Sequence, residues 1–193
     1  LQKMQSTPDA PDDLKKIPRL NLSDLEKTHK PIPIEVSEFE NAKILYHDLF
    51  TNGILYFDFG FNLRSVPQRL LPYVKLFGRS LLELGTETED FVQLSERIDR
   101  DTGGISHFPL TFSKKAQKEA NAWMFVEGKA MASQTGKLLD IFRDILLTPN
   151  LDNRERFKQL VLDAKSSKES SLASNGHGLV QKRLGACFTE AGW

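Results

Sequence analysis

Ile54–Phe61, ILYFDFGF, is the stretch that decides the fold class. Its aromatic residues Tyr56, Phe57, Phe59 and Phe61 and the β-branched Ile54 favour an extended strand on a half-buried sheet. Moving upstream, Asn52-Gly53 marks a turn, and Ala42–His47 (AKILYH) is a second strand candidate. Asp48–Thr51 lengthens the connection beyond that of a tight Asn-Gly hairpin. Earlier still, Ile32, Ile34 and Val36 alternate with other residues, the period of two expected of a half-buried strand.

Moving downstream, the period changes. Ser65 with Gln68 three residues on has capping-box spacing, and Pro67 stands where proline is tolerated. A helix is expected from there through Leu70, Leu71, Val74, Phe77, Leu81 and Leu84, with Gly85 as its left-handed cap. Thr88 or Asp90 opens a second helix carrying Phe91, Leu94 and Ile98. It stops before Gly103-Gly104, a cap and turn that feeds a strand over Ile105–Phe112. Ser113–Glu119 is a charged hairpin end, and Ala122–Ala130 (AWMFVEGKA) a further strand. Ser133 is expected to cap a helix through Leu138, Leu139, Phe142, Ile145 and Leu146, ended by Pro149. Asp152, with Glu155, is expected to cap a long one through Phe157, Leu160, Val161 and Ala164. Asn175 and Gly176 break it before a final helix with Leu179, Val180, Leu184, Cys187 and Phe188. The order β-β-β-α-α-β-β-α-α-α argues for an α+β fold, one mainly antiparallel sheet with helices packed on one face.

Residues 1–31 read differently. Pro8, Pro11, Pro18 and Pro31 punctuate a polar stretch that has too few apolar residues for a core of its own. It reads as a linker or arm, with Leu14, Ile17, Leu20, Leu22 and Leu25 expected to be partly buried where it docks. Residues 32–193 then form the domain. Leu at the first position, and Trp193 closing a helical pattern, suggest an excised segment, so flanking domains are expected and truncation at the C-terminal side with them.

Composition narrows the function classes. Among 193 residues, 26 Lys and Arg balance 26 Asp and Glu, so no basic footprint points to nucleic acid or an anionic membrane surface. No apolar run approaches the roughly 20 residues that span a bilayer, and Leu1–Pro11 lacks the apolar segment of a signal peptide. The single cysteine, Cys187, cannot make an intrachain disulfide, which favours a reducing, intracellular and soluble setting.

Chemistry is sparse. A helical zinc site needs two histidines at i and i+4, or a cluster with Cys or carboxylates. His29, His47, His107 and His177 lie no closer than eighteen residues apart in sequence. Surface or hydrogen-bonding histidines are the expected reading, with an unrelated enzyme using His107 or His177 the outlying one. Gly176-His177-Gly178 is neither a phosphate loop nor a dinucleotide fingerprint, since no strand precedes it. Cys187, spaced with Leu184 and Phe188, reads as a buried inert thiol. On chemistry alone the chain is a scaffold, with no catalytic and no metal-binding residue assigned and no substrate-binding residue identified.

Seven segments in order carry a resemblance. They are HDLFTN at His47–Asn52, SLLELGT at Ser80–Thr86, FVQL at Phe91–Leu94, TGGIS at Thr102–Ser106, RFKQ at Arg156–Gln159, Gly176–Gly178 and the closing Ala191–Trp193. From about Pro33 onward the sequence resembles presequence proteases, the organellar and bacterial branch of the pitrilysin/insulinase zinc peptidases. The resemblance implies a parent of four related α/β domains, in two halves joined by a helical hairpin and closing on a chamber, with zinc in one domain. This stretch looks like the end of that linker, residues 1–31, plus the first domain of the second half, of the pitrilysin/mitochondrial-processing-peptidase-like metallohydrolase fold.

The active domain of that family carries an inverted His-x-x-Glu-His motif on a helix ending in Gly-Ser or Gly-Thr, which Gly85-Thr86 matches. Counting back puts Leu76, Arg79 and Ser80 in place of the two histidines and the carboxylate, so the resemblance implies a degenerate copy. The expected function is that of a non-catalytic domain of a zinc metalloendopeptidase that degrades unstructured peptides such as presequences. Zinc belongs to the parent and no cofactor to this stretch. The expected partners are other domains of the same polypeptide and, in the parent, a peptide. The setting is the mitochondrial matrix or a plastid in a eukaryote, the cytoplasm in a bacterium. The alternative is an inactive scaffold of the same fold that acts through protein–protein contacts only.

Overall fold

The computed structural model describes residues 6–28, 30–114 and 119–192, and the chain divides into two compact units, Leu1–Phe50 and Thr51–Trp193. In the first unit a short helix α1, Pro11–Leu14, precedes a turn at Leu22–Asp24 closed by reciprocal Asn21 and Asp24 capping. Strands β1 (Glu35–Phe39) and β2 (Ala42–Tyr46) form a hairpin in which Glu35 faces Tyr46 and Phe39 faces Ala42. Left-handed Glu40 (φ 45°) and Asn41 (φ 70°) make its turn. Every residue of the two strands is exposed. The division after Phe50, rather than at 31/32, follows from pairing: β1 and β2 bond only to each other. Leu14, Ile17, Leu20, Leu22 and Leu25 are all exposed, so the burial expected of them is not found.

The second unit runs β3 (Ile54–Asn62), α2 (Val74–Glu83), α3 (Phe91–Asp101), β4 (Ile105–Ser113), β5 (Ala120–Met131), α4 (Thr135–Leu147) and α5 (Arg154–Phe188). Its sheet has the order β3-β5-β4, antiparallel throughout. The α+β class and the antiparallel pairing agree with the sequence reading, but there are two sheets and not one. Alternating Ile32, Ile34 and Val36 are all exposed, so that pattern had no core to report.

Register sets the two faces of the larger sheet. Facing pairs in an antiparallel ladder share a side. Leu55, Phe57, Phe59 and Phe61 therefore go with Ala130, Gly128, Val126 and Met124, and with Ile105 and His107 of β4. On that side Met124, Val126 and Ala130 are buried with Leu81 of α2, Leu94 and Ile98 of α3, and Leu138, Ile141, Phe142 and Ile145 of α4. The helices gather on one face. Gly128 makes the closest approach possible, because a Cβ there would stand 2.8 Å from Phe142 Cε2 and 3.0 Å from Leu138 Cδ1.

Several boundaries moved for identifiable reasons. The helix expected from Ser65 begins only at Val74, after a 3₁₀ stretch, Gln68–Tyr73, that contains Pro72. Proline has no N–H and its ring clashes with the carbonyl four residues back, so α-helical bonding starts after it. Ser65 Oγ instead donates to the Asn62 carbonyl, at 2.8 Å. Gly85 takes the left-handed conformation expected of it, φ 88°. Asp90 caps α3, accepting from Val92 and Gln93 N–H at 2.9 Å, while Gln93 accepts from Asp90 N–H. Ser133 falls in a 3₁₀ turn and makes no cap bond, and Asn153, not Asp152, caps α5. Asn175 (φ −126°, ψ 26°) kinks α5 without ending it. Beyond α5, Glu190 closes the unit, accepting from Ala120 N–H at 2.9 Å and from Arg64 Nη2 at 3.2 Å.

Leu81 and Phe142 lie at the centre of this core, 2% and 3% exposed. Truncating Leu81 to Ala is expected to cost about 2–5 kcal/mol and Phe142 to Ala about 3–5 kcal/mol. Chemical denaturation of each variant measures this, and unchanged midpoints would show that the apolar faces are misassigned.

Candidate functional site

The first place to look for chemistry is α2, where the sequence puts Leu76, Arg79 and Ser80 on successive turns. Ser80 is buried and its Oγ donates to the Leu76 carbonyl at 2.9 Å, a bond back into its own helix. The Arg79 guanidinium holds Glu83 two-pronged, Nε to Oε1 at 2.6 Å and Nη2 to Oε2 at 3.0 Å, and Nη1 reaches the Leu160 carbonyl of α5 at 3.5 Å. Leu76 and Ser80 line a shallow apolar groove of about 270 Å³ with Tyr73, Phe77, Leu84 and Phe157. A zinc ion needs lone pairs from nitrogen, sulfur or carboxylate oxygen. Leu76 has none, Arg79 donates only, and the Ser80 hydroxyl is committed to a carbonyl. These three residues do not fit a zinc ion. Among the described residues, no three His, Cys, Asp or Glu side chains are grouped to hold a metal ion.

The same helix end is tied down by polar contacts. Thr86 Oγ1 accepts from Glu89 N–H at 3.1 Å, and Asn150 N–H bonds to the Gly85 carbonyl at 3.0 Å. Arg156 of α5 donates to the Glu83 carbonyl at 3.2 Å and lies 3.9 Å over the Phe91 ring. Arg97 of α3 stands between Glu89 (2.8 Å) and Asp144 of α4 (2.9 Å). Matched in this way, the charges bind helices to one another.

The histidines do not converge. His29 lies outside the described residues. His47 is in the first unit, with Nδ1 2.8 Å from the Pro33 carbonyl, and His177 stands on α5 two residues past its kink. His107 is on the helix-facing side of β4, opposite Val126 and under α2 at Gly78. A Cβ at Gly78 would lie 2.5 Å from His107 Nδ1, so only glycine lets the helix come this close. Nδ1 is buried without a hydrogen-bond partner. Burial pushes the ring below its ordinary pKa of 6.5, Lys75 and Arg79 act in the same direction, and Glu83 opposes them. Cys187, expected to be buried, is exposed, because the α5 stripe of Leu179, Val180, Leu184 and Phe188 is exposed with it.

A second place went unmarked in the sequence. On the sheet face away from the helices, Asp58 of β3 stands directly opposite Glu127 of β5. Glu127 Oε1 accepts from Ser106 Oγ at 2.6 Å, and neither carboxylate has an ion-pair partner among the described residues. With Tyr56, Gly103, Gly104 and Lys129 they line a cleft of about 310 Å³. Burial, and to a lesser degree the facing Glu127, pushes the Asp58 carboxyl up from its ordinary value. Alternation alone places Asp58 beside Tyr56 and Glu127 beside Phe125, but only the β3–β5 register makes them neighbours.

His107 yields a pH prediction. Its depressed folded-state pKa means that the unfolded chain binds the proton more readily, so this stability is present above about pH 6.5 and lost as pH falls through the lowered value. Denaturation midpoints followed downward from about pH 7 should fall less steeply for His107→Leu than for the unsubstituted protein. Parallel pH profiles would show that the ring contributes nothing to acid sensitivity.

With this geometry in view, relatives are informative. The chain is 40% identical over 193 residues to presequence protease 1, chloroplastic/mitochondrial, of Arabidopsis thaliana, covering 100% of this chain and 18% of that one. It is 36% identical to Protein HypA of Clostridium perfringens, covering 100% of this chain and 20% of that one. The mitochondrial presequence protease of Saccharomyces cerevisiae is 29% identical over 192 residues, 98% of this chain and 19% of that one. The chain thus spans 18–20% of the length of these relatives. A solved structure of a conserved protein from Enterococcus faecalis V583 aligns with a TM-score of 0.48 at 18% identity, over 72% of this chain and 33% of that one, too distant to carry an argument. The family described as peptidase-associated, of metallopeptidase family 16, subfamily C, matches residues 1–193 in full, and the chain belongs to that family.

Proposed function

We propose that this chain is a non-catalytic region of a presequence-protease-like zinc metalloendopeptidase, in which other domains of the same polypeptide hold the metal. The observation that carries the reading is the pairing of a whole-length family match with an α2 helix whose Leu76, Arg79 and Ser80 offer no metal donor set. In this reading residues 1–31 are the end of an interdomain linker, and the unit around the larger sheet serves as wall for a chamber where unstructured peptides are degraded. The names of the relatives extend to it a mitochondrial or plastid setting in a eukaryote. No helix among the described residues is long and apolar enough to cross a membrane.

The supporting physics is that α2 is committed to packing. Its polar groups are spent on Glu83, on Leu160 and on its own carbonyls, and its buried face meets β4, α3 and α4. Such a helix holds domain geometry and leaves no group free to take or give a proton at a substrate.

In the full-length polypeptide, Ser80→Ala is expected to leave kcat/KM for an unstructured peptide within about twofold, since the lost bond is local to α2. Metal chelation should abolish the same activity. A collapse of turnover in Ser80→Ala, with the thermal midpoint unchanged, would overturn the non-catalytic assignment. A full-length polypeptide with no peptidase activity at all would favour the scaffold reading.

A further inference from the structure

The face of the β3-β5-β4 sheet that the helices leave uncovered has its own chemistry. Phe108 of β4 and Phe125 of β5 stack at 5.6 Å between ring centroids, and Trp123 stacks on Phe125 at 6.2 Å. Leu110 pairs with Trp123 across the ladder, and Phe112 follows it at the strand end, both exposed. Contiguous apolar surface of this kind on a sheet face marks a binding surface more often than a solvated one. Toward the other end the face turns acidic, with Asp58 opposite Glu127 in the cleft described above. Like charges directly opposite on a sheet destabilise it, so the fold alone gains nothing from the pair. Lys129, on the same face, forms no ion pair with either carboxylate.

We propose that this uncovered face is a peptide-docking surface, which seats apolar side chains on the Phe108–Phe125–Trp123 strip and a lysine or arginine at the Asp58–Glu127 carboxylates. The occupant is a flexible segment that combines apolar and basic residues. Charge complementarity selects it: an arginine or lysine relieves the repulsion between the facing carboxylates, whereas an acidic peptide adds to it. Rigid stacked rings lose little side-chain entropy when covered, which suits them to bind many sequences of this type. The proposal rests on the reading of the parent as a peptide-degrading enzyme, and it assigns recognition of peptide chemistry to this region while cleavage stays elsewhere.

The experiment uses the full-length polypeptide, with a chelator present so that probes are not consumed. Fluorescence anisotropy compares a labelled peptide alternating leucine and arginine with its leucine–citrulline counterpart, citrulline being the uncharged isostere of arginine. The arginine peptide is expected to bind about tenfold tighter, with the gap narrowing as salt is added. The double variant Asp58→Asn, Glu127→Gln should close that gap while its thermal midpoint holds or rises, since it relieves the repulsion. Leu110→Ser should weaken both peptides alike, by about threefold. Equal affinity for the two peptides, a gap that survives in the double variant, or no binding to the full-length polypeptide would each overturn the proposal; the last would mean that another part of the polypeptide covers the face. Cleavage without chelator is scored separately. Binding with no cleavage counts against the peptidase reading alone, and cleavage with an unchanged gap in the variant counts against the docking surface alone.

Discussion

Strand β5 carries the second unit. It is the middle strand of the β3-β5-β4 sheet, so its backbone is bonded on both edges, and its even-numbered residues form the floor on which every helix of the core rests. Val126, Gly128 and Ala130 are buried there under Leu138, Ile141 and Phe142 of α4. The absent side chain at Gly128 sets the spacing, since any Cβ would push into Phe142 and Leu138. From that seam the rest follows. With α4 seated, Arg97 finds Asp144, and α3 is held to α4. Gly78 brings α2 down onto His107 of β4 by the same device, a glycine at the point of closest approach.

The helix α2 shows how an architecture persists without chemistry. Packing needs apolar residues at helical spacing and a satisfied surface, and Leu81, Ser80 and the Arg79–Glu83 pair meet both needs. A buried metal site would need converging unprotonated donors at the same positions, held by further hydrogen bonds. The two demands are separable, so a helix can keep the first and drop the second. The ion pair at Arg79 is partly exposed to solvent and adds little stability by itself. Its consequence is geometric, since the same guanidinium reaches the Leu160 carbonyl and aligns α5 beside α2.

Much of this was legible in the sequence. The strand expected over Ile54–Phe61 is Ile54–Asn62, that over Ile105–Phe112 is Ile105–Ser113, and that over Ala122–Ala130 is Ala120–Met131. Aromatic and β-branched residues in alternation report local burial, and burial was the cause in all three. The pattern failed where alternation had no core behind it, at Ile32, Ile34 and Val36, and where a proline inside a helical period, Pro72, outweighed the apolar spacing. Helical spacing around Cys187 predicted burial, but it records only which residues share a face, not whether anything covers them. The absence of a donor set at Leu76, Arg79 and Ser80 could be read from the residues, because no rotamer turns leucine into a ligand. The facing of Asp58 and Glu127 could not, since it depends on pairing residues 69 positions apart in the ladder.

The central claim is that α2 is a structural helix with no place for a metal, within a polypeptide that binds one elsewhere. Anomalous diffraction at the zinc absorption edge from crystals of the full-length polypeptide tests this most directly. The account predicts no anomalous peak beside Leu76, Arg79 and Ser80, with the Arg79–Glu83 pair intact, and a peak in another domain. A peak against α2, with Arg79 turned away from Glu83 to admit the ion, would contradict it.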